Sequence, residues 1–230
     1  MPPDPFLHER PDFSDLIRIV AELRGLLPAL VEKDYWIMHC LYGLRAQGFR
    51  FELKGGTSLS KGFGIIQRFS EDIDIRIDSQ CAPFEVFSDP KQAKIAHHIE
   101  SRKQFYDWLA ENIRIEGIVG IARDPTFDED KYRSGGIRLR YNSAFDPPPG
   151  LKEGILLEVG FDDTTPNMLR IISSWAFDKA AKSAIVITDN RAIDVPCYHP
   201  GYTFVEKLQT VSTKFRRQQE TGDMPTNFLR

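Results

Sequence analysis

The sequence predicts an α+β fold in which a mixed or antiparallel sheet is flanked by helices. Three observations predict it. Helical periodicity fills residues 14–46 and 88–112 and returns after residue 203. Period-two alternation takes over between Ile113 and Cys197. Residues 49–77 join the two patterns as strand, glycine turn, short helix and strand.

Taken in order, residues 1–13 are proline-rich and irregular. Ser14-Asp15 caps a helix to about Arg24, with Leu16, Ile17, Ile19, Val20 and Leu23 on its apolar side. Gly25 ends it, and Pro28 opens a second helix over 28–46. Its apolar face uses Leu30, Val31, Tyr35, Met38, Leu41 and Tyr42, which leaves Glu32, Lys33 and Asp34 as a solvated face. Ser88-Asp89-Pro90 starts a polar helix to Asn112, buried through Ile95, Ile99, Phe105, Trp108 and Leu109. His97 and His98 are adjacent, face different directions and read as surface histidines. Strands follow at 113–122, 136–143, 154–163, 169–177, 184–188 and 191–197, with a helical turn over 177–182. Arg138 and Arg140 share one strand face, either a wet sheet face or a basic wall beside phosphate. His199-Pro200-Gly201 is a turn, and Thr203 with Glu206 makes a capping box for a last helix buried through Phe204, Leu208, Val211 and Phe215.

Composition excludes several classes. The 230 residues are 41% hydrophobic and 27% charged, ordinary for a soluble globular chain. No apolar run reaches a membrane span, and the N-terminus lacks the pattern of a signal peptide, so no membrane association is expected. Cys40, Cys81 and Cys197 are odd in number and widely spaced, which suits reduced thiols in the cytoplasm. A net charge of −3 argues against a general nucleic-acid coat. Lys207, Lys214, Arg216, Arg217 and Arg230 still gather basic charge near the end.

The chemistry centres on residues 52–77. Asp72 and Asp74 lie two apart on a strand and point to one face, while Ile73, Ile75 and Ile77 point to the other. Gly55 and Gly56 let a ligand approach the backbone, and Thr57 and Ser58 open a short helix whose N-terminus favours anions. Lys61 follows one turn on. Glu158 sits in an apolar strand, an expensive place for an unpaired charge, and is the candidate third carboxylate. Two divalent ions roughly 4 Å apart would clamp an in-line displacement, and Asp72, Asp74 and Glu158 supply the ligands. Hard oxygen ligands favour Mg2+, with Mn2+ as the alternative. The glycine turn would hold the phosphates of a nucleoside triphosphate (NTP), with Lys61 and Lys207 neutralising charge. No Walker A loop, dinucleotide fingerprint or nucleophile elbow is present.

The blocks Glu32-Lys33-Asp34-Tyr35-Trp36, Leu53-Lys54-Gly55-Gly56-Thr57-Ser58-Leu59-Ser60-Lys61, Arg68-Phe69-Ser70-Glu71-Asp72-Ile73-Asp74 and Tyr202-Thr203-Phe204-Val205-Glu206-Lys207-Leu208 together resemble the AbiEii/AbiGii toxin family. The resemblance runs over about residues 28–210. It implies a polymerase-β-like nucleotidyltransferase core and a toxin of a bacterial toxin–antitoxin or abortive-infection system. It implies Asp72, Asp74 and Glu158 as metal ligands, Lys207 as a catalytic lysine, and Ser70 with Gly55, Gly56, Thr57, Ser58 and Lys61 as phosphate-binding residues. It also implies a cognate antitoxin as partner and the tRNA 3′ end as acceptor. The domain reading is 1–48 as a helical segment packed on the core, 49–200 as the nucleotidyltransferase core, and 201–230 as the start of a C-terminal helical region. The family's further aspartate segment after the Lys207 helix has no match here, so that region reads as truncated. Alternatives are transfer to a protein or small molecule, and a non-catalytic NTP-binding module.

Overall fold

The computed structural model describes residues 3–183 and 185–221. In order, its main elements are α1 (Phe13–Arg24), α2 (Pro28–Ala46), β1 (Phe51–Lys54), α3 (Gly55–Thr57), β2 (Asp72–Ile77), α4 (Ala96–Asn112), β3 (Ile118–Asp124), β4 (Ser134–Tyr141), β5 (Ile155–Gly160), β6 (Asn167–Ile172), α5 (Trp175–Lys182), β7 (Ala192–Tyr198) and α6 (Pro200–Thr221). The turn α3 runs straight into a π-helical turn, Ser58–Gly62.

The strands form one seven-stranded mixed sheet in the order β3-β4-β5-β2-β1-β7-β6. β1 and β2 are antiparallel, with Lys54 paired to Asp74 and Glu52 to Arg76. β2 and β5 are parallel and put Asp74 beside Glu158. On the opposite face Ile73, Ile75 and Ile77 are at most 1% exposed and join the core with α2. Each such side chain contributes about 1.5–3 kcal/mol of burial. The two-residue alternation of β2 therefore sorts a core face from a carboxylate face.

The structure corrects several sequence expectations. Glu32, Lys33 and Asp34 are fully buried rather than solvated. Helix α2 is packed on nearly all sides, so its charges find partners instead of water. Glu32 accepts from the Ser143 hydroxyl at 2.6 Å and the Ala144 amide at 2.9 Å. Lys33 donates to the Lys152 carbonyl at 2.7 Å and to Glu71 at 3.3 Å. Asp34 pairs with Lys61 and accepts from the Trp175 amide at 2.8 Å.

Helix α1 starts at Phe13, ahead of Ser14, and Ile19 and Leu23 lie outside its buried side. Helix α4 starts at Ala96, after a short turn at Pro90–Gln92. Its buried side carries His98 and Arg102, while Ile95 is exposed. His98 stacks on Phe87 at 4.2 Å between centroids. Arg102 has its charge satisfied by the carbonyls of Lys131, Phe87 and Ala93 at 2.7–2.9 Å. A buried guanidinium held by carbonyls cannot be told from a surface one by periodicity.

Residues 185–188 form no strand, and residue 184 lies outside the described residues. Pro200 begins α6, so the expected turn at 199–201 and the cap at Thr203 are replaced by helix. Glu206 instead accepts from the Tyr198 hydroxyl at 2.9 Å. The stripe Phe204, Leu208, Val211 and Phe215 is 45–63% exposed, because α6 meets the sheet only near its first turn, where Thr203 is buried. Arg230, and Asn227-Phe228-Leu229-Arg230 with it, lie outside the described residues.

Candidate active site

The site is built by one tight unit. β1 ends at Lys54 and the chain turns at Gly55 with a φ of +69°, a conformation that favours glycine. A side chain there would also overlap the Asp74 carboxylate. A Cβ on Gly56 would come within 2.6 Å of the Ser70 hydroxyl. The two glycines thus let the turn lie flat against the residues that follow it in the unit. The Thr57 hydroxyl donates to the Asp72 carbonyl at 2.6 Å and fastens the turn to the start of β2.

Asp72 and Asp74 share one face of β2, and Glu158 joins them from β5. The row across the sheet is Lys54, Asp74, Glu158 and Gly136 on four neighbouring strands. Burial raises the Asp74 carboxyl above its ordinary value, and Lys54 and Lys207 pull it back down. Burial also raises Glu158, and the neighbouring Asp74 raises it further. Burial raises Asp72, opposed chiefly by Lys152, whose Nζ is 3.9 Å from the carboxylate. The Asp72 Oδ1 atom is buried with no hydrogen-bond partner among the described residues. Like charges held together in a partly dry place call for a cation.

The other sequence-flagged residues are placed as follows. Lys207, exposed on α6, is close enough to act on both Asp74 and Glu158. Ser70 lies against Gly56. Thr57 and Ser58 are buried. Lys61 pairs with Asp34 on α2. Arg138 is held by Asp124 at 2.6 Å, and the Arg140 guanidinium stands 3.8 Å from Glu153. Sequence reasoning missed Lys54 and Lys152 as cations of this face. The alternation Glu52, Lys54 on β1 was the available signal, but only the strand pairing sets Lys54 against Asp74.

The carboxylates fit a divalent cation by chemistry, since all are hard oxygen donors and one oxygen is orphaned. Among the described residues, no three acidic, histidine or cysteine side chains make a metal cage by themselves. No helix among the described residues is long and apolar enough to cross a membrane.

The chain is similar to known proteins in sequence family and in fold. Residues 39–223 match the family described as "Nucleotidyl transferase AbiEii toxin, Type IV TA system". A comparison with curated proteins gave no match. Among solved structures, MenT4, a nucleotidyltransferase toxin from Mycobacterium tuberculosis H37Rv, is similar at a TM-score of 0.53 and 20% identity. The likeness covers 85% of this chain and 58% of that one. At that identity it speaks for the fold.

Proposed function

From the premise that the chain belongs to the AbiEii nucleotidyl transferase toxin family, we propose that it moves a nucleotide from an NTP to an acceptor hydroxyl. The observation that carries this reading is the alignment of Asp74 with Glu158 across β2 and β5, with Lys54 opposite. Asp72, Asp74 and Glu158 are the residues that would hold Mg2+ or Mn2+. When bound, such ions supply charge neutralisation at the phosphates and a more acidic acceptor hydroxyl. The backbone at Gly55 and Gly56 and the hydroxyl of Ser70 bind and orient the phosphate chain. Lys54 and Lys207 offset negative charge beside Asp74 and Glu158. Catalysis here is positioning and electrostatics, as phosphoryl chemistry generally demands.

The acceptor in this reading is the tRNA 3′ end, and the setting is a cytoplasmic toxin countered by an antitoxin. The family's place in type IV toxin–antitoxin systems supports the antitoxin half of that reading. The test is incubation with each labelled NTP, Mg2+ and total tRNA. Label should enter RNA, depend on the metal ion and vanish in Asp74→Asn. Label on protein alone would reject the RNA acceptor. Growth inhibition that survives Asp72→Asn and Asp74→Asn would reject catalysis in favour of a binding module.

A further inference from the structure

A cavity of about 840 Å³ lies beside the Gly55–Gly62 turn, walled by α1, α2, α5 and residues 64–70. Asp72, Asp74 and Glu158 do not line it. Thr57 stands between the two places: it lines the cavity and its hydroxyl is bonded to the Asp72 carbonyl.

The cavity is rich in cations. Arg24, Lys61, Arg68, Lys179 and Lys182 line it, against the acids Asp34 and Asp178. Asp34 is committed to Lys61 and to the Trp175 amide. Asp178 accepts from the Ser173 hydroxyl at 2.5 Å. Arg24, Arg68, Lys179 and Lys182 form no ion pair among the described residues. Elsewhere in this protein even half-exposed arginines such as Arg76 and Arg191 find carboxylates at 3.1 and 2.6 Å. The Arg24 guanidinium lies 4.6 Å from the Trp175 ring centre and Lys61 Nζ lies 4.3 Å from it. The Trp175 ring therefore has two cations against it, with Asp34 as the buried acid acting on both. Ser60 adds a hydroxyl to the wall, Ser70 edges both this cavity and the Gly56 turn, and Leu23, Ile66 and Phe69 add apolar surface. The volume falls in the range of small-molecule sites and exceeds what a single inorganic anion fills.

We propose that this cavity is a second binding site, for a ligand carrying a chain of phosphates, separate from the carboxylate face. Two sources share that chemistry, inorganic polyphosphate and the triphosphate of a nucleotide. The proposal stands whether or not the carboxylate face transfers nucleotides.

Calorimetric titration of the whole chain with inorganic tripolyphosphate, in chelator and without divalent metal, tests it. The wild type should bind, more weakly as salt rises. Arg24→Glu combined with Lys182→Glu should weaken binding by about tenfold or more. Lys54→Met, which removes the cation opposite Asp74, should bind as the wild type does. Arg24→Gln with Lys182→Gln, checked for an unchanged melting temperature, guards against misfolding and should give an intermediate loss. Competition by ATP identifies the nucleotide as the source, and its failure to compete identifies inorganic polyphosphate. Absence of wild-type binding, or binding indifferent to the Arg24 and Lys182 changes, would overturn the proposal. So would a comparable loss of binding in Lys54→Met, which would put the phosphates on the carboxylate face.

Discussion

Lys54 on β1 stands directly across the ladder from Asp74 on β2, and its charge holds the Asp74 carboxyl down against burial. The same lysine lowers Glu158. It is largely sheltered, with 21% of its side chain exposed, so its field is poorly screened. Lys54→Met should lower kcat/KM for nucleotide transfer by on the order of tenfold or more, the effect of about 1.4 kcal/mol. Steady-state assays across NTP concentration check this. Unchanged kinetics would remove Lys54 from the site.

Asp74→Asn and Glu158→Gln are expected to separate stability from function. Both carboxyls are raised by burial, and Glu158 also by Asp74. A carboxyl with a raised folded value binds protons more readily folded than unfolded. Its contribution favours folding at low pH and is lost as pH rises through the folded value. At neutral pH the metal-free wild type holds charges that the amides lack. Each variant should therefore melt a few degrees higher than the wild type in chelator and lose transfer activity. Added Mg2+ should raise the wild-type melting temperature and leave the Asp74→Asn variant nearly unmoved. A variant that melts lower in chelator would show that repulsion does not dominate there.

The carboxylate face was legible in the sequence because strand alternation is a strict rule. Asp72 and Asp74 share a face for the same reason that Ile73 and Ile75 share the core. Glu158 was legible because a charge between Leu157 and Val159 is out of place in an apolar strand, and the register sets it beside Asp74, with Lys54 acting on both. The surroundings were less legible. Helical periodicity separates apolar from polar positions but does not say what covers either side. It therefore hid the burial of Glu32, Lys33 and Asp34, whose partners lie far along the chain, such as Lys61, Glu71, Ser143 and Trp175. The same limit gave α6 a buried stripe where Phe204 and Leu208 are exposed. Lys61 was drawn toward the phosphates by its distance from Gly55, whereas Asp34 on α2 claims it.

That Asp34–Lys61 pair makes the next prediction. Asp34 is 1% exposed and Lys61 14%. Burial pushes each toward its neutral form, and each partner opposes that for the other. Asp34→Ala strands a buried ammonium and the Trp175 amide and should cost about 3–5 kcal/mol. Replacing both, Asp34→Leu with Lys61→Met, removes the desolvated charges together and should cost much less than the single change. Urea unfolding of the two singles and the double closes the cycle. Additive costs would mean that the two side chains do not act as a pair.

A chain of neutral rings under the N-terminus predicts sensitivity to acid. The Glu116 carbonyl can only accept, so His39 Nε2, at 2.9 Å, carries the proton. His39 Nδ1 then accepts from the Asn190 amide at 2.8 Å, and that amide also donates to the Tyr35 hydroxyl at 3.0 Å. The Tyr35 hydroxyl donates in turn to His8 Nδ1 at 2.8 Å. A proton added at either Nδ1 would face another donor. Burial, and then the neighbouring His39, lower His8 from 6.5 to about 3, and burial lowers His39 as well. A histidine with a lowered folded value is bound to fewer protons folded than unfolded. Its stabilising contribution is complete above about 6.5 and is lost as pH falls from there toward about 3. The raised carboxyls work in the opposite sense; Asp74→Asn with Glu158→Gln removes two of them, while Glu32, Asp34 and Asp72 stay, so the histidine effect is read as a difference within that background. In that background the melting temperature should fall between pH 7 and pH 4.5, and His8→Gln with His39→Gln should flatten the slope while lowering stability at pH 7. A slope unaffected by removing both rings would assign the acid sensitivity to other groups.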